Sequence, residues 1–371
     1  AHSPMTLLRG VGEGLPLERW LADAIWPREA RLTPEDVWWG MQLGSAELLR
    51  AGVTTTCEHY FHPRAVADAA LAAGIRCVVA PGILALPGAG PGATWERLLE
   101  DAVQVHGELE GCEGRLRVGL GPHSAYALPA EGLAAVAEVA AELDALVHLH
   151  VAETRAEGDV IQARHGCGAP ELLERTGILG CRVLAAHAVW VADDELDLFA
   201  RHDVAVAHCP QSNAKLGAGI ARVPAMLEHG IRVGIGTDGP ASNDNLDLWE
   251  ELRLAPLLAR SVACDASALG TMDALRLATC GGAAALGLNC GMLAPGRDAD
   301  FVRVELDDAA FVPARRGTEL LALLVWAASS RLVTDVWVAG HQVVERGTCC
   351  SVDEPLARRE VAARGKRIGE G

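Results

Sequence analysis

The sequence predicts an α/β protein built as a (β/α)8 TIM barrel with a small β domain near its C-terminal end. Seven short runs rich in β-branched residues alternate with longer segments rich in Ala, Leu and Glu, which is the pattern of repeated strand and helix units. A chain of 371 residues is long enough for one large barrel. After about residue 290 this alternation stops, and the pattern becomes that of antiparallel strands.

The predicted barrel strands are separated by helices and are therefore expected to run parallel. They span residues 52–60, 75–84, 116–124, 145–153, 181–189, 203–210 and 231–239. The helix before the first of them has clear end signals, because Thr33 can cap it, Pro34 suits its first turn and Gly52 can close it. The barrel is assigned to residues 1–289, continuing through 307–331.

The small domain is predicted from two stretches, residues 295–306 and 332–347, which resemble antiparallel strands with a turn near Gly340. Residues 290–306 and 332–371 are assigned to a small β-sandwich and a terminal helix. Seven strands leave one barrel strand unaccounted for. We expect that strand, and half of the small domain, to precede Ala1.

The amino-acid composition limits the classes of molecule that the protein is expected to bind. Lys and Arg total 32 against 49 Asp and Glu, a formal charge of −17, which disfavours nucleic acid and anionic membranes and suits small neutral or cationic ligands. No apolar run reaches the roughly 20 residues of a membrane span. The eleven cysteines form no CxxC pair, which predicts reduced thiols and a cytoplasmic protein.

Titratable residues recur where the predicted strands end, at the face where barrel enzymes carry their chemistry. They are His123, His150 with Glu153, His187, His208 and Asp238. A set of His and Asp with an open coordination position indicates one catalytic divalent metal, Zn²⁺ first and Fe²⁺ as the alternative.

Five segments together resemble the amidohydrolase superfamily, and within it the branch of methylthioadenosine/S-adenosylhomocysteine deaminases and s-triazine chlorohydrolases. They are AHSPMTLLRG (1–10), HLHVAET (148–154), LAAHAVWV (184–191), AHCPQSNAKLGAG (207–219) and GIGTDGPASNDNLDLWEELRLA (234–255). The resemblance implies a hydrolase acting on the C–N bond of a cyclic amidine, with His2, His150 and Asp238 as metal ligands. It also implies a further ligand histidine before Ala1.

The resemblance assigns catalytic roles to Glu153, His187 and Asp238. Asp238 would take the proton of the attacking water, Glu153 would protonate the ring nitrogen, and His187 would orient the hydroxide. His123 would contact the substrate, as would Glu153 and His187. Of the other histidines near strand ends, His148 is expected to fill the barrel, His208 to hold its loop, and His59 and His62 to lie in a loop or beside the site.

Substrate choice depends on residues 17–33. Glu29, in the segment WPRE, matches a glutamate that the resemblance implies for binding a ribose 2′,3′-diol, and the alternative is an ion pair with Arg28 or Arg31. Trp20 could stack on the substrate. It belongs to a cluster with Trp26, Trp38 and Trp39, which is otherwise expected in the core or in a subunit contact, so a homo-oligomer stays open. Arg97 is a weak candidate for binding an amino-acid carboxylate on the 5′ group.

The predicted function is metal-dependent deamination of an adenosine-type nucleoside: adenosine, 5′-methylthioadenosine, S-adenosylhomocysteine or 5′-deoxyadenosine. One alternative keeps the chemistry and changes the substrate to a free base or pterin such as 8-oxoguanine, or to an s-triazine. Another alternative is a catalytically inactive barrel that serves as a scaffold.

Overall fold

The computed structural model of the chain describes residues 1–85, 93–313 and 316–370, and a ring of parallel strand segments forms its centre. The segments are β1 Thr55–Tyr60, β2 Arg76–Ile83, β3 Leu116–Val118, β4 Gly121–Pro122, β5 Leu146–Val151, β6 Arg182–His187, β7 Ala205–His208 and β8 Arg232–Ile235. They pair in the orders β1-β2-β3, with β4 also on β2, and β5-β6-β7-β8. Single bridges, Leu120 to Val147 and Ser124 to His150, connect the two groups. All seven predicted strands are present, in parallel arrangement.

The third predicted strand, 116–124, is divided into β3 and β4. A Cβ atom at Gly119 would lie 2.5 Å from the carbonyl oxygen of Leu146, and one at Gly121 would lie 2.7 Å from that of Ala80. The neighbouring strands therefore approach the backbone of this segment more closely than any side chain would allow. Regular pairing with β2 is interrupted at residues 119–120 and resumes at Gly121, which pairs with Gly82.

The first two residues lie between β1 and the loop that follows β8. The backbone N–H of His59 donates to the carbonyl of Ala1 at 3.0 Å, and the N–H of His2 donates to the carbonyl of Asp238 at 3.4 Å. A cavity of about 390 Å³ is lined by residues 54–57, around the start of β1, and by residues 234–237, around the end of β8. The short N-terminal segment thus brings His2 to the face where the strands end.

Helices follow the strands and cover the outside of the ring. Their bounds are α1 Leu17–Arg19, α2 Trp26–Glu29, α3 Pro34–Arg50, α4 Pro63–Ala73, α5 Trp95–Leu109, α6 Ala130–Leu143, α7 Arg155–His165, α8 Ala169–Arg175, α9 Asp193–Arg201, α10 Pro210–Lys215, α11 Val223–Glu228, α12 Leu248–Ala263, α13 Thr271–Arg276, α14 Gly282–Leu286, α15 Gly317–Trp326 and α16 Glu354–Gly369. A π-helical turn, Trp20–Ile25, joins α1 to α2. We call residues 17–29 the cap.

The predicted start of α3 is confirmed. Thr33 precedes it in extended conformation and accepts a hydrogen bond from the backbone of Asp36, whose carboxylate accepts one from the Thr33 backbone in return. The helix ends at Arg50, two residues before Gly52, which has φ 86°. This helix packs on α4 and on the residues 3–8 that follow His2.

The small domain is a four-stranded antiparallel sheet in the order β12-β11-β10-β9. Its strands are β9 Phe301–Val304, β10 Val333–Val338, β11 His341–Glu345 and β12 Thr348–Cys349. The predicted turn near Gly340 joins β10 to β11, and α16 follows the sheet and packs on α3. In the described part of the chain, none of the helices is both long and apolar enough to cross a membrane.

Candidate active site

Three potential metal ligands meet at the strand ends. The Nε2 atom of His2 lies 3.2 Å from Nε2 of His150 and 3.2 Å from Oδ1 of Asp238. One donor atom from each residue falls within 4.8 Å of the other two. His2 comes from the N-terminal segment, His150 from β5 and Asp238 from the loop after β8. The structure therefore brings together the three residues that the sequence resemblance selected as ligands.

The hydrogen bonds around this cluster fit a metal cation. Nδ1 of His2 lies 2.5 Å from the carbonyl oxygen of His59, and Nδ1 of His150 lies 2.7 Å from that of His123. A carbonyl only accepts, so each Nδ1 carries the proton and each Nε2 presents a lone pair. Two lone pairs facing one another beside a carboxylate repel each other unless a cation lies between them, so this donor set suits one divalent metal.

Asp238 is held by two hydroxyl groups. Ser212 and Ser242 each donate to its Oδ2 atom at 2.6 Å, which leaves Oδ1 directed toward His2. The pKa of Asp238 lies well below its ordinary value, even though burial alone would raise it. The carboxylate is therefore ionised, as a metal ligand must be.

Glu153 and His187 form a second pair beside the cluster. Their Oε2 and Nε2 atoms are 3.7 Å apart, and Nδ1 of His187 lies 2.8 Å from Oδ1 of Asn213. Burial raises the pKa of Glu153. Burial by itself lowers the pKa of His187, but the carboxylates of Glu153 and Asp238 outweigh that effect and raise it. A buried carboxyl with a raised pKa beside a histidine is suited to proton transfer near neutral pH.

Glu157 positions the loop that carries Glu153. Its carboxylate accepts from the backbone N–H groups of Ala152, at 3.0 Å, and of Glu153, at 2.8 Å. Four residues close to the cluster have left-handed backbone conformations: Ala152 has φ 50°, His187 69°, Ala188 47° and Asp238 58°. Such conformations are strained for residues other than glycine and cluster at functional sites.

A pocket opens onto the cluster from the side of the cap. It is lined by His2, Met5, Leu17, Trp20, Leu21, Ile25, Trp26, Glu29, His59, Tyr60, Phe61, Gly82, Leu84, His123, Tyr126, His150, Glu153, His187, Leu216, Asp238 and Ser242. Its volume of about 70 Å³ is well below the roughly 300 Å³ of the smallest usual ligand pockets. A nucleoside therefore requires side chains of the cap to move aside.

The predicted substrate-binding residues lie in this pocket. Glu29 is buried, and burial raises its pKa to about 7. Within the described part of the chain Glu29 forms no ion pair; Arg28 and Arg31 donate instead to the carbonyls of Ala24 and Ile368. The ion-pair alternative for Glu29 is therefore not what the structure contains.

Trp20 and His123 both line the pocket. The indole N–H of Trp20 donates to the carbonyl of Val11 at 3.0 Å, which fixes the ring in the cap. Burial lowers the pKa of His123 to about 4, so its imidazole is neutral. Its ring centre is 4.6 Å from that of His150. Arg97 is exposed at the start of α5 and does not line the pocket.

Sequence reasoning missed several polar neighbours of the site. Ser212, Asn213 and Ser242 occur inside the family-like segments, but nothing in their spacing assigns them to particular partners. His59 was expected in a loop or beside the site. It lies within β1, with its ring stacked on that of His150 at 5.2 Å, and strand parity could have found this position.

A parallel barrel with His, His and Asp donors at its strand ends defines a metal-dependent hydrolase. The model of the Amidohydrolase family matches residues 1–343. The chain belongs to this family, which confirms the resemblance inferred from the sequence segments.

Three proteins of similar sequence or structure are named as deaminases. A 5-methylthioadenosine/S-adenosylhomocysteine deaminase of Pelotomaculum thermopropionicum is 39% identical over 369 residues, which cover 99% of this chain and 83% of the relative. A 5′-deoxyadenosine deaminase of Methanothermobacter thermautotrophicus is 42% identical over 302 residues, 81% of this chain and 70% of the relative. The crystal structure of an adenosine deaminase from Xanthomonas campestris with bound zinc is similar at a TM-score of 0.95 and 35% identity, covering 100% of this chain and 84% of that one.

Proposed function

We propose that this protein is a metal-dependent hydrolytic deaminase that converts an adenosine-type nucleoside to the inosine analogue and ammonia. The observation that carries the proposal is the buried Glu29 carboxylate in the same pocket as Glu153, His187 and Asp238. Relatives at about 40% identity that are named as deaminases of 5′-modified adenosines support the same substrate class.

The metal site is assigned to His2, His150 and Asp238, with Zn²⁺ as the expected ion and Fe²⁺ as the alternative. A divalent cation bound there would lower the pKa of water to about 7 and so supply hydroxide at neutral pH. The neutral Nε2 lone pairs of the two histidines and the Oδ1 of Asp238 are the donors.

Each residue around the site has its own role in the proton transfers of the reaction. Asp238 accepts the proton released by the attacking water, because its carboxylate is ionised and its Oδ1 atom is free of the two serine hydroxyls. His187, held by Asn213, donates a hydrogen bond that orients the nucleophile. Glu153 delivers a proton to the ring nitrogen where negative charge develops, and its raised pKa keeps that proton available. The amine takes the proton held by Asp238 and leaves as ammonia, while the new hydroxyl returns a proton to Glu153 as the carbonyl of the product forms.

Glu29 selects the nucleoside. A carboxylate can accept from both hydroxyl groups of a cis-diol at once. A buried carboxylate that forms no ion pair has a strong need for such donors. Free bases and s-triazines offer no diol, so when they bind the carboxylate would keep only the Tyr60 hydroxyl as a donor.

The test is ammonia release by the protein loaded with Zn²⁺, from adenosine, 5′-methylthioadenosine, 5′-deoxyadenosine, adenine, 8-oxoguanine and an s-triazine. We expect the ribosides to react with the highest kcat/KM. Equal values for adenine and adenosine would refute the assignment to nucleosides. Failure to retain metal after reconstitution would support the scaffold alternative.

A further inference from the structure

The wall of the pocket outside the metal cluster is apolar. The residues that remain after the candidate catalytic and diol-binding groups include Leu17, Leu21, Phe61, Leu84 and Leu216. Tyr60 and Tyr126 add hydroxyl groups, which burial keeps neutral by raising their pKa. A 5′ substituent directed away from the metal cluster and Glu29 would therefore meet mainly apolar side chains and neutral hydroxyls.

Lys and Arg are absent from the described residues that line the pocket. Three cations directly adjoin pocket residues in sequence, and each is engaged elsewhere. Arg19 pairs with Asp23 at 2.6 Å, Arg28 donates to the carbonyl of Ala24 at 2.7 Å, and Lys215 pairs with Asp244. Two residues beyond Glu153, the guanidinium of Arg155 stacks 4.0 Å over the ring of Trp190. None of these four cations is left without a partner to receive an anionic group of the substrate.

The rim of the pocket is acidic instead. Glu18, an exposed residue of the cap, accepts a hydrogen bond at 3.2 Å from the hydroxyl of Thr154, the residue that follows Glu153. Its charge reaches the pocket, since it adds to the rise in the pKa of Glu153. Glu18 can pair with the ammonium group of an amino-acid tail, but it approaches the carboxylate of that tail as a like charge.

The internal segments outside the described ranges give no reason to add a cation to the pocket. Residues 86–92, which follow the pocket residue Leu84 in sequence, read LPGAGPG and contain no ionisable side chain. Residues 314–315 include Arg315, and their described neighbours Pro313 and Arg316 are not among the pocket residues.

From this we propose that the enzyme prefers adenosine nucleosides whose 5′ substituent is neutral, such as a methyl or methylthio group, and discriminates against a 5′ amino-acid tail. The inference rests on the proposed function. The carboxylate of such a tail would lose water without gaining a cation, and one hydrogen bond to a charged partner is worth about 10- to 100-fold in affinity.

Kinetics with a matched series of substrates separate charge from size. The Zn²⁺-loaded protein is assayed with 5′-deoxyadenosine, 5′-methylthioadenosine, 5′-butylthio-5′-deoxyadenosine and S-adenosylhomocysteine. The butylthio compound approximates the length of the amino-acid tail without its charges. We expect kcat/KM for S-adenosylhomocysteine to be about 10- to 100-fold below that for 5′-methylthioadenosine, and the butylthio value to stay within a few-fold of the methylthio value.

The outcomes distinguish the two levels of the argument. A kcat/KM for S-adenosylhomocysteine equal to or above that for 5′-methylthioadenosine would overturn the inference while leaving nucleoside deamination intact. A butylthio value as low as that of S-adenosylhomocysteine would also overturn it, because length and not charge would then limit the substrate. No turnover of any member of the series would refute the proposed function and the inference with it.

Discussion

Replacing Glu29 by Gln tests how the pocket recognises its substrate with a minimal change of shape. The carboxylate is buried, forms no ion pair within the described ranges and has the Tyr60 hydroxyl as a neutral donor, so it has acceptor capacity left for a ribose diol. The amide of Gln offers one acceptor oxygen instead of two and carries no charge. We expect kcat/KM for adenosine to fall by about 1.5 to 3 kcal/mol, or roughly 10- to 100-fold, the range for hydrogen bonds to charged groups.

A substrate without the diol isolates that effect. In the unsubstituted enzyme, 2′,3′-dideoxyadenosine is expected to react about 10- to 100-fold less efficiently than adenosine. In Glu29→Gln the two substrates are expected to differ by only a few-fold, because the group that distinguishes them is gone. Asp23→Asn is the matched control, since Asp23 belongs to the same cap but is exposed, pairs with Arg19 and does not line the pocket.

The preference for the diol should increase with pH. Burial raises the pKa of Glu29 to about 7, so the carboxyl is mostly protonated at pH 6 and mostly ionised at pH 8. The ratio of kcat/KM for adenosine to that for the dideoxy substrate should therefore rise with pH across this window, by up to about tenfold. In Glu29→Gln the ratio is expected to be flat.

The same shift affects folding. A carboxyl whose pKa is raised in the folded state destabilises the fold when ionised, so its penalty grows as the pH rises from about 4.5 to 7. The shift from 4.5 to about 7 corresponds to at most roughly 3 kcal/mol. Denaturant unfolding should show Glu29→Gln gaining stability relative to the unsubstituted protein as pH is raised from 5 to 8.

Two kinetic results would refute the role given to Glu29. One is an equal loss of kcat/KM for adenosine and 2′,3′-dideoxyadenosine in Glu29→Gln, and the other is a preference for the diol that survives the substitution.

Other predictions concern the metal and the proton transfers. Glu153→Gln should keep the metal, measured by mass spectrometry, and lose about 10²- to 10⁴-fold in kcat, the range for one general acid or base; a near-normal kcat would remove it from the mechanism. Asp238→Asn should lose both metal and activity, and full metal content in this variant would exclude it as a ligand. Ser212→Ala combined with Ser242→Ala should weaken metal binding about 10- to 100-fold in a chelator competition, because these hydroxyls orient the Asp238 carboxylate. Unchanged affinity would show that the carboxylate needs no such support.

The arrangement of the strand ends could be predicted because it follows from a simple repeat. Each parallel strand of a barrel ends at the same face, so a histidine at the end of 145–153 and one at the end of 181–189 had to become neighbours. The structure places His150 and His187 with ring centres 5.5 Å apart. This reasoning needs only the order of elements and the parity of a strand.

Contacts between distant segments could not be predicted in the same way. The hydroxyls of Ser212, in α10, and of Ser242, in the loop after β8, reach one carboxylate oxygen, and this depends on tertiary packing that has no period in sequence. The interruption between β3 and β4 has a similar origin, because it depends on how closely Leu146 approaches Gly119. The π-helical turn of the cap likewise has no periodic signal in the sequence.

The left-handed residues beside the metal cluster limit how this protein can be redesigned. A directed-evolution library that randomises Ala152 or Ala188 explores positions where φ is near +50°, and β-branched side chains clash with the backbone there. Glycine, asparagine and aspartate tolerate such angles, so active variants should carry only a few residue types at both positions. His187 and Asp238 combine the same backbone constraint with a required side chain. A new reaction is therefore easier to engineer by changing the apolar residues of the cap than by changing these strand ends.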